Sequence, residues 1–143
     1  MSADARIEIA PIRILFVCVE NSNRSQMAEA FARHLGGARV EARSAGSKPS
    51  GGVNPLAIEA MKEKGIDLSK HRSKSLAEVR DVSFDAVVTM GCGGACPDVR
   101  ARVREDWSIP DPRHMQPEEF RGVRDLIEAS VKALLSRLAE DKG

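Results

Sequence analysis

Apolar residues occur along the chain in short continuous runs and in longer periodic ones. The continuous runs at residues 12–17 and 84–90 are rich in β-branched side chains, as in buried parallel strands. Residues 39–43 predict a short second strand, and residues 105–107 predict a weak fourth one. Because helical patterns separate these strands, the sequence predicts an α/β fold with a parallel sheet and right-handed crossovers.

Three segments have the apolar periodicity of helices. Residues 24–35 carry an apolar stripe that stops at a pair of glycines. Asn54 and Pro55 predict the cap and first turn of a second helix, which ends at Gly65. Residues 117–140 predict a long amphipathic helix with its apolar residues on one face.

The composition argues against several classes of function. The 143 residues suit a single domain, predicted at residues 12–143 behind an N-terminal tail at residues 1–11. A formal net charge of +1 argues against nucleic-acid binding through phosphate neutralisation, and an aromatic content of 3% argues against a base-stacking platform. The chain has no apolar run of about 20 residues for a membrane span and no signal-peptide pattern, so we expect a cytoplasmic protein. We also expect it to be a monomer.

The three cysteines are candidates for chemistry rather than for a closed disulfide framework, because their number is odd. Cys18 follows the first predicted strand, and Cys92 and Cys96 lie in a glycine-rich loop after the strand at residues 84–90. Ligands of parallel α/β folds bind beyond the carboxyl ends of the strands. We therefore expect all three thiols at one end of the sheet.

The Cys18 loop, residues 18–25, fits the pattern Cys-x5-Arg-Ser between a strand and a helix. Such a loop can point backbone N–H groups inward, the helix N-terminus adds positive potential, and the Arg24 guanidinium matches two oxygens of an anion. The same field stabilises a thiolate, so Cys18 is expected to be a nucleophile at neutral pH. Ser25 is expected to hydrogen-bond the thiolate, and Asn21 to brace the loop or adopt an unusual backbone conformation.

The bare pattern has alternatives. A second match, residues 96–102, has no N–H at Pro97, a repelling charge at Asp98, and Val103 in place of the hydroxyl. Cys18 also fits a small buried side chain at a strand end. The strand before Cys18 and the helix after it favour the anion-binding loop over both alternatives.

The loop resembles the phosphate-binding loop of the low-molecular-weight tyrosine phosphatase superfamily, and more narrowly that of its thioredoxin-coupled arsenate reductases, in the run Val17-Cys-Val-Glu-Asn-Ser-Asn-Arg-Ser-Gln-Met-Ala-Glu29. Further landmarks match, so the resemblance covers residues 12–140. It implies a three-layer α/β/α fold with a four-stranded parallel sheet. The further landmarks are Ser44-Ala-Gly46, Asn54-Pro55, residues 57–62, His71-x-Ser73, Val87-Val-Thr-Met90, Asp106-Trp107 and Asp111-Pro112.

The resemblance also implies roles for individual residues. Asp111 matches the general acid, which protonates the departing oxygen, and the alternative for it is a turn residue before Pro112. Trp107 is expected to anchor this loop by packing. The residues expected to bind the oxyanion or support the loop are Glu20, Asn21, Ser22, Asn23, Arg24 and Ser25.

Two positions depart from the family pattern. Glu20 stands where the family usually has Gly, so the backbone there need not be left-handed, and a negative charge lies near the rim of the site. Lys74 stands where some members have an Asp that helps to bind potassium, and Asn21, Glu29 and Ser44 match the other ligands. A lysine ammonium can fill the place of the cation, so no metal is assigned.

Cys92 and Cys96 help to distinguish between phosphate ester hydrolysis and arsenate reduction. A phosphatase of this superfamily needs no second pair of thiols, whereas arsenate reduction needs two electrons, which a second thiol supplies by attacking the Cys18 sulfur. We therefore predict arsenate reduction through a Cys18–Cys92–Cys96 disulfide relay. The predicted external reductant is thioredoxin, with no bound cofactor and with phosphate or sulfate as competing anions. Glutaredoxin or a small thiol is the alternative reductant.

Other interpretations stay open on the sequence. Cys92 and Cys96 also fit inert thiols or, with His71 or His114, a poorly spaced zinc site, although both histidines are better explained as hydrogen-bonding loop residues. A tyrosine or small-molecule phosphatase would use only the nucleophile, the arginine and the general acid. A non-catalytic phosphate-sensing module is the third alternative.

Overall fold

The computed structural model describes residues 10–90 and 99–142, except for the side chains of residues 141 and 142. Most of the predicted N-terminal tail and the loop that carries Cys92 and Cys96 lie outside the described residues. Within the described ranges, no helix is both long enough and apolar enough to cross a membrane. The elements, in chain order, are β1 (Ile12–Cys18), α1 (Arg24–Gly36), a first 3-10 turn (Gly37–Arg39), β2 (Val40–Gly46), α2 (Pro55–Lys62), a second 3-10 turn (Leu76–Val79), β3 (Phe84–Thr89), β4 (Ala101–Asp106) and α3 (Pro117–Lys142).

Four parallel strands form one sheet in the order β2-β1-β3-β4. This arrangement confirms the predicted parallel sheet flanked by helices. β1 lies in the interior of the sheet, and its continuous apolar run is buried on both faces, with Ile14 and Phe16 on one side and Leu15 and Val17 on the other.

The two faces of the sheet are covered differently. α1, α2 and α3 pack on the face that carries Ile14 and Phe16, where they bury the larger apolar cluster. The face that carries Leu15 and Val17 is covered, within the described residues, by the second 3-10 turn and the apolar residues near it. Removal of this apolar surface from water is the main driving force for the fold, and it holds the start of α1 against the end of β1.

The strand register brings the carboxyl ends of the strands to one edge of the sheet. Cys18 at the end of β1 pairs with Gly46 at the end of β2, and Val17 pairs with Thr89 at the end of β3. Met90, the residue after β3, donates its backbone N–H to the Val17 carbonyl oxygen at 2.8 Å. The chain therefore leaves β1 and β3 at neighbouring points of this edge, as the sequence predicts.

Two strands differ from the sequence prediction by more than one residue at one end. β2 extends to Gly46, whereas the prediction ended at residue 43. Its last three residues have weak strand propensity, and their pairing with β1 overrides it. β4 covers Ala101–Asp106 rather than residues 105–107. It is an edge strand in which alternate residues are exposed. Its extent is therefore set by pairing with β3 and not by a run of apolar residues.

The start of α2 follows the predicted capping chemistry. Asn54 Oδ1 accepts a hydrogen bond from the Leu56 backbone N–H at 2.9 Å, and Pro55 occupies the first turn. The helix ends at Lys62, three residues earlier than predicted. Gly65 then takes a positive φ of 76°, which a glycine adopts without steric cost.

Candidate active site

The Cys18 loop surrounds the sulfur of Cys18 at the junction of β1 and α1. Cys18 is 3% exposed, and its Sγ lies 2.9 Å from Ser25 Oγ. The Asn21 side-chain amide donates to the same Ser25 oxygen at 2.7 Å. Because the serine oxygen accepts the amide proton, its own hydroxyl proton can be donated to the sulfur, which stabilises a thiolate.

Asn21 has a left-handed backbone conformation, with a φ of 52°. Asparagine tolerates this region better than most residues, and the expectation of an unusual conformation here is confirmed. Among the described residues, Asn21 is the only non-glycine residue with a positive φ, so Glu20 is not left-handed. The expectation that the backbone at position 20 need not be left-handed is therefore confirmed as well.

A buried glutamine that the sequence analysis did not single out extends the network to the far side of the loop. Gln26 Nε2 donates to Asn21 Oδ1 at 2.9 Å and to the Arg72 carbonyl oxygen at 2.8 Å. His71 Nδ1 lies 3.1 Å from Gln26 Oε1, which can only accept, so Nδ1 carries the proton. Burial lowers the pKa of His71, which favours the neutral ring. His71 is thus a hydrogen-bonding loop residue, as predicted.

A pocket of about 120 Å³ opens at Cys18. Arg24 lies in its wall, donates from Nη1 to the Ile109 carbonyl oxygen at 3.0 Å, and has Nη2 3.9 Å from Asp111 Oδ2. This volume is well below the roughly 300–1,000 Å³ of pockets for drug-sized ligands, so the pocket suits a small anion. Of the residues predicted for the site, Cys18, Glu20, Ser22, Asn23, Arg24 and Asp111 line the pocket, while Asn21 and Ser25 support it through the contacts above.

The second wall of the pocket comes from the segment that follows β4. Asp111 Oδ1 accepts a hydrogen bond from the Arg113 backbone N–H at 3.0 Å, and the Arg113 side chain forms an ion pair with Glu20. Trp107, just before this segment, packs against Phe16 with 5.9 Å between ring centroids, which confirms its expected packing role. The sequence analysis did not identify Arg113, because a single charged residue two positions after Asp111 belongs to no recognisable motif.

The two cysteines predicted to complete the relay, Cys92 and Cys96, lie outside the described residues. Cys18 is free and buried. The described part of the site therefore contains a buried thiol in contact with a serine hydroxyl and a small pocket lined by Arg24, and the relay stays a prediction.

The pairing of β2 with β1 places Gly46 in close contact with the Cys18 loop. A Cβ atom at this position would lie 2.5 Å from the Val19 carbonyl oxygen and 3.0 Å from the Asn21 backbone nitrogen. Both neighbours are backbone atoms of the loop, so they can move only if the loop moves.

We expect Gly46→Ala to lower the free energy of unfolding by about 1–3 kcal/mol and to weaken phosphate binding, because overpacking displaces the loop. Urea denaturation and phosphate titration measure the two effects. Gly52→Ala is the control, since among the described residues no atom beyond its chain neighbours lies within 4 Å of a Cβ there, and it should change stability by less than about 0.5 kcal/mol. Equal behaviour of the two variants would contradict this packing role.

Lys74 reaches into a group of oxygen atoms behind the Cys18 loop. Its Nζ lies 3.1 Å from the Arg72 carbonyl oxygen, 3.3 Å from Ser44 Oγ and 3.5 Å from Glu29 Oε1. Glu29 is 2% exposed, also pairs with Arg33 at 2.7 Å, and accepts a short hydrogen bond from Ser44. The ammonium therefore supplies positive charge to a buried carboxylate, while the Lys74 backbone N–H donates to Asn21 Oδ1 of the loop at 2.7 Å.

We predict that phosphate affinity and the thermal unfolding midpoint will not differ between potassium and sodium chloride at equal ionic strength. The reason is that the Lys74 ammonium and a potassium ion at the same oxygens would repel each other. Lys74→Asp removes this repulsion and adds a carboxylate, so it should gain a potassium-specific increase in both quantities. Lys74→Met is the matched control without the carboxylate. A large potassium-specific gain in phosphate affinity or in the unfolding midpoint of the wild-type protein would refute the prediction.

Comparison with known proteins agrees with this geometry. Residues 13–143 match the family described as low molecular weight phosphotyrosine protein phosphatase. The chain is 41% identical over 129 residues to arsenate reductase 1 of Staphylococcus epidermidis, covering 87% of this chain and 96% of the relative. It is 37% identical over 130 residues to a glutaredoxin arsenate reductase of Synechocystis, covering 89% and 98% of the two chains.

Solved structures give the same result. An arsenate reductase in the phosphate binding state superimposes with a TM-score of 0.81 at 36% identity, covering 88% of this chain and 98% of that one. A thioredoxin-dependent arsenate reductase of Corynebacterium glutamicum superimposes with a TM-score of 0.74 at 29% identity, covering 97% of this chain and 67% of that one. With its parallel sheet, its Cys-x5-Arg-Ser loop and these matches along nearly its whole length, the chain belongs to the low molecular weight phosphotyrosine protein phosphatase family.

Proposed function

We propose that this protein reduces arsenate to arsenite, with Cys18 as the nucleophile. The observation that carries the proposal is the small anion pocket in which Cys18 Sγ, the Arg24 guanidinium and the Asp111 carboxyl group lie together. Arsenate is a tetrahedral oxyanion like phosphate, so a loop of this kind binds either. The relatives named as arsenate reductases, at 37–41% identity over most of both chains, support arsenate as the substrate.

Anion binding rests on Arg24 and on the backbone N–H groups at the start of α1. The first turn of α1 contains no acidic side chain, so the positive potential of the helix N-terminus is not neutralised there. Arg24 is 7% exposed and its guanidinium is held by the Ile109 carbonyl oxygen, so little side-chain freedom is lost when the anion binds. A charge-assisted bidentate contact from this guanidinium fixes the orientation of the oxyanion.

The first chemical step is attack of the Cys18 thiolate on arsenic. An S–As bond forms, and an As–O bond breaks as Asp111 protonates the departing oxygen, which leaves as water. Ser25 stabilises the thiolate before attack through the 2.9 Å contact. Arsenic is still pentavalent in the Cys18 adduct, so reduction needs a second thiol.

The second step transfers two electrons to arsenic. The Cys92 thiolate attacks Cys18 Sγ, an S–S bond forms, and the electron pair of the S–As bond leaves with arsenic, which departs as arsenite. Cys96 then attacks Cys92 and releases Cys18 as a thiolate. Met90 binds the backbone of β1 next to Cys18, and Cys92 follows Met90 by two residues, which supports Cys92 as the first resolving thiol.

The Cys92–Cys96 disulfide is then reduced from outside, and we propose thioredoxin as the reductant. The resemblance to the thioredoxin-dependent arsenate reductase of Corynebacterium glutamicum supports thioredoxin, and the glutaredoxin arsenate reductase of Synechocystis supports the alternative. The test is arsenate-dependent NADPH oxidation, with thioredoxin and thioredoxin reductase in one arm and glutaredoxin, glutathione and glutathione reductase in the other. We expect turnover in the first arm. Turnover in the second arm alone would replace the reductant, and turnover in neither would refute arsenate reduction.

The second candidate function is hydrolysis of phosphomonoesters, which membership of the phosphatase family favours. It would use Cys18, Arg24 and Asp111 but no further thiol. The two functions separate in the Cys92→Ser variant, which should lose arsenate reduction and keep any slow hydrolysis of an aryl phosphate. Loss of that hydrolysis in folded Cys92→Ser would contradict this division of labour.

A further inference from the structure

The ion pair between Glu20 and Arg113 joins the two walls of the pocket. Glu20 belongs to the Cys18 loop, Arg113 belongs to the segment of the proposed proton donor, and both line the pocket. Their side chains are 34% and 49% exposed, so the pair lies on the solvent side of the site. The contact spans 93 positions in sequence.

Both ends of this ion pair are held by other contacts. The Glu20 carbonyl oxygen accepts hydrogen bonds from Ser73 Oγ at 2.8 Å and from the Ser50 backbone N–H at 3.1 Å. The Arg113 backbone N–H donates to Asp111 Oδ1 at 3.0 Å. Because the backbones on both sides are held, the pair forms between preset positions, which lowers the entropic cost of closing it.

Because Glu20 is negatively charged, its pairing with Arg113 favours anion binding. An unpaired carboxylate at the rim would repel a divalent oxyanion in the pocket. The Arg113 guanidinium neutralises this carboxylate. The Cys18 loop therefore tolerates glutamate at position 20 because the opposite wall supplies the counter-charge.

The position of the pair also bears on the shape of the ligand. In an in-line displacement the leaving oxygen lies opposite the attacking atom, here on the Asp111 side of the pocket. The substituent of a phosphomonoester continues from that oxygen towards solvent, past Arg113. A free oxyanion has no such substituent and fits beneath a closed ion pair in a pocket of about 120 Å³.

We propose that the Glu20–Arg113 ion pair is a specificity-determining latch that favours binding of free tetrahedral oxyanions over binding of substituted phosphates. The proposal rests on the oxyanion binding at Cys18 assigned under the proposed function, and it adds a physical basis for discrimination between arsenate and phosphate esters. The latch acts by closing the rim and neutralising Glu20, and it takes no part in the chemical steps.

The test compares binding of inorganic phosphate with binding of phenylphosphonate, a non-hydrolysable anion whose ring must pass the rim. The quantity measured is the ratio of the two dissociation constants by calorimetry. We expect Glu20→Gln/Arg113→Gln to improve phenylphosphonate binding relative to phosphate by about fivefold or more. Arg113→Gln alone, which leaves Glu20 unpaired, should weaken phosphate binding by about two- to fivefold, as expected for a partly exposed pair.

The charge-reversed variant Glu20→Arg/Arg113→Glu restores the ion pair. It should return the ratio of the two dissociation constants towards that of the wild-type protein. Arg121→Gln is the control, because it removes an exposed ion pair with Glu63 that lies away from the pocket, and it should leave the ratio unchanged. Circular dichroism establishes that each variant is folded, and Glu20→Gln alone replaces the neutral double variant if that variant is not.

An unchanged ratio in the folded neutral variants would overturn the latch, as would a chain that binds neither anion. Neither measurement uses a reductant, Cys92 or Cys96. A shifted ratio in a chain that fails to reduce arsenate would therefore retain the latch and reject the proposed reaction. Arsenate reduction together with an unchanged ratio of the two dissociation constants would reject the latch and retain the proposed reaction.

Discussion

We expect Cys18→Ser to lose arsenate reduction by roughly 10⁴-fold or more, because the variant lacks the sulfur that attacks arsenic and that later accepts the second thiol. The surrounding loop has little reason to change, since Ser25 and Asn21 keep their mutual hydrogen bond. The measurement is arsenite formation with the thioredoxin system in excess.

Phosphate binding distinguishes loss of chemistry from loss of the pocket. In Cys18→Ser the phosphate dissociation constant should stay within about threefold, because Arg24 and the loop amides bind the anion. In Arg24→Lys it should rise by roughly 10- to 100-fold, since lysine keeps the charge but not the planar fork. Cys18→Ser protein that retains a tenth of the activity would refute Cys18 as the nucleophile.

The second large effect concerns the proposed relay, in which each cysteine variant should stop at a different species. Cys92→Ser should form the Cys18 adduct and release no arsenite, because no thiol attacks the Cys18 sulfur. Cys96→Ser should release one arsenite per chain and then stop with a Cys18–Cys92 disulfide. Mass spectrometry of alkylated digests after one addition of arsenate identifies these species.

Two outcomes would contradict the relay. A Cys18–Cys96 disulfide in the unchanged chain, with Cys92 free, would reverse the order of the resolving thiols. Full thioredoxin-coupled turnover by the Cys92→Ser/Cys96→Ser double variant would reject the relay altogether. The double variant should still bind phosphate normally, because neither residue contributes to the proposed anion contacts.

The geometry of the Cys18 loop was predictable because its parts are local in sequence. A nucleophile, an arginine and a serine at fixed spacing between a strand and a helix allow one arrangement that suits an anion. The left-handed Asn21 and the Ser25 contact follow from the same short segment. The cap at Asn54 was predictable for the same reason, since its partner is two residues away.

Contacts between distant parts of the chain were not predictable in this way. β4 lacks an apolar run, so its extent depends on pairing with β3. Gln26 is an ordinary polar residue in sequence, and only the packed structure places its amide between Asn21 and Arg72. The requirement for glycine at position 46 comes from a loop that precedes it by more than twenty residues.

The sequence by itself determined the parallel α/β class through its periodicity, predicted Cys18 as the nucleophile and Arg24 as the anion-binding residue from motif spacing, and indicated the family by resemblance, because all of these signals lie in short segments. The tertiary structure alone decided what surrounds them: the pairing of Glu20 with Arg113, the approach of Lys74 to Glu29, and the volume of the pocket. Each of these depends on chain segments that sheet formation and apolar burial bring together. Their positions are set by the free energy of the whole fold rather than by neighbouring residues.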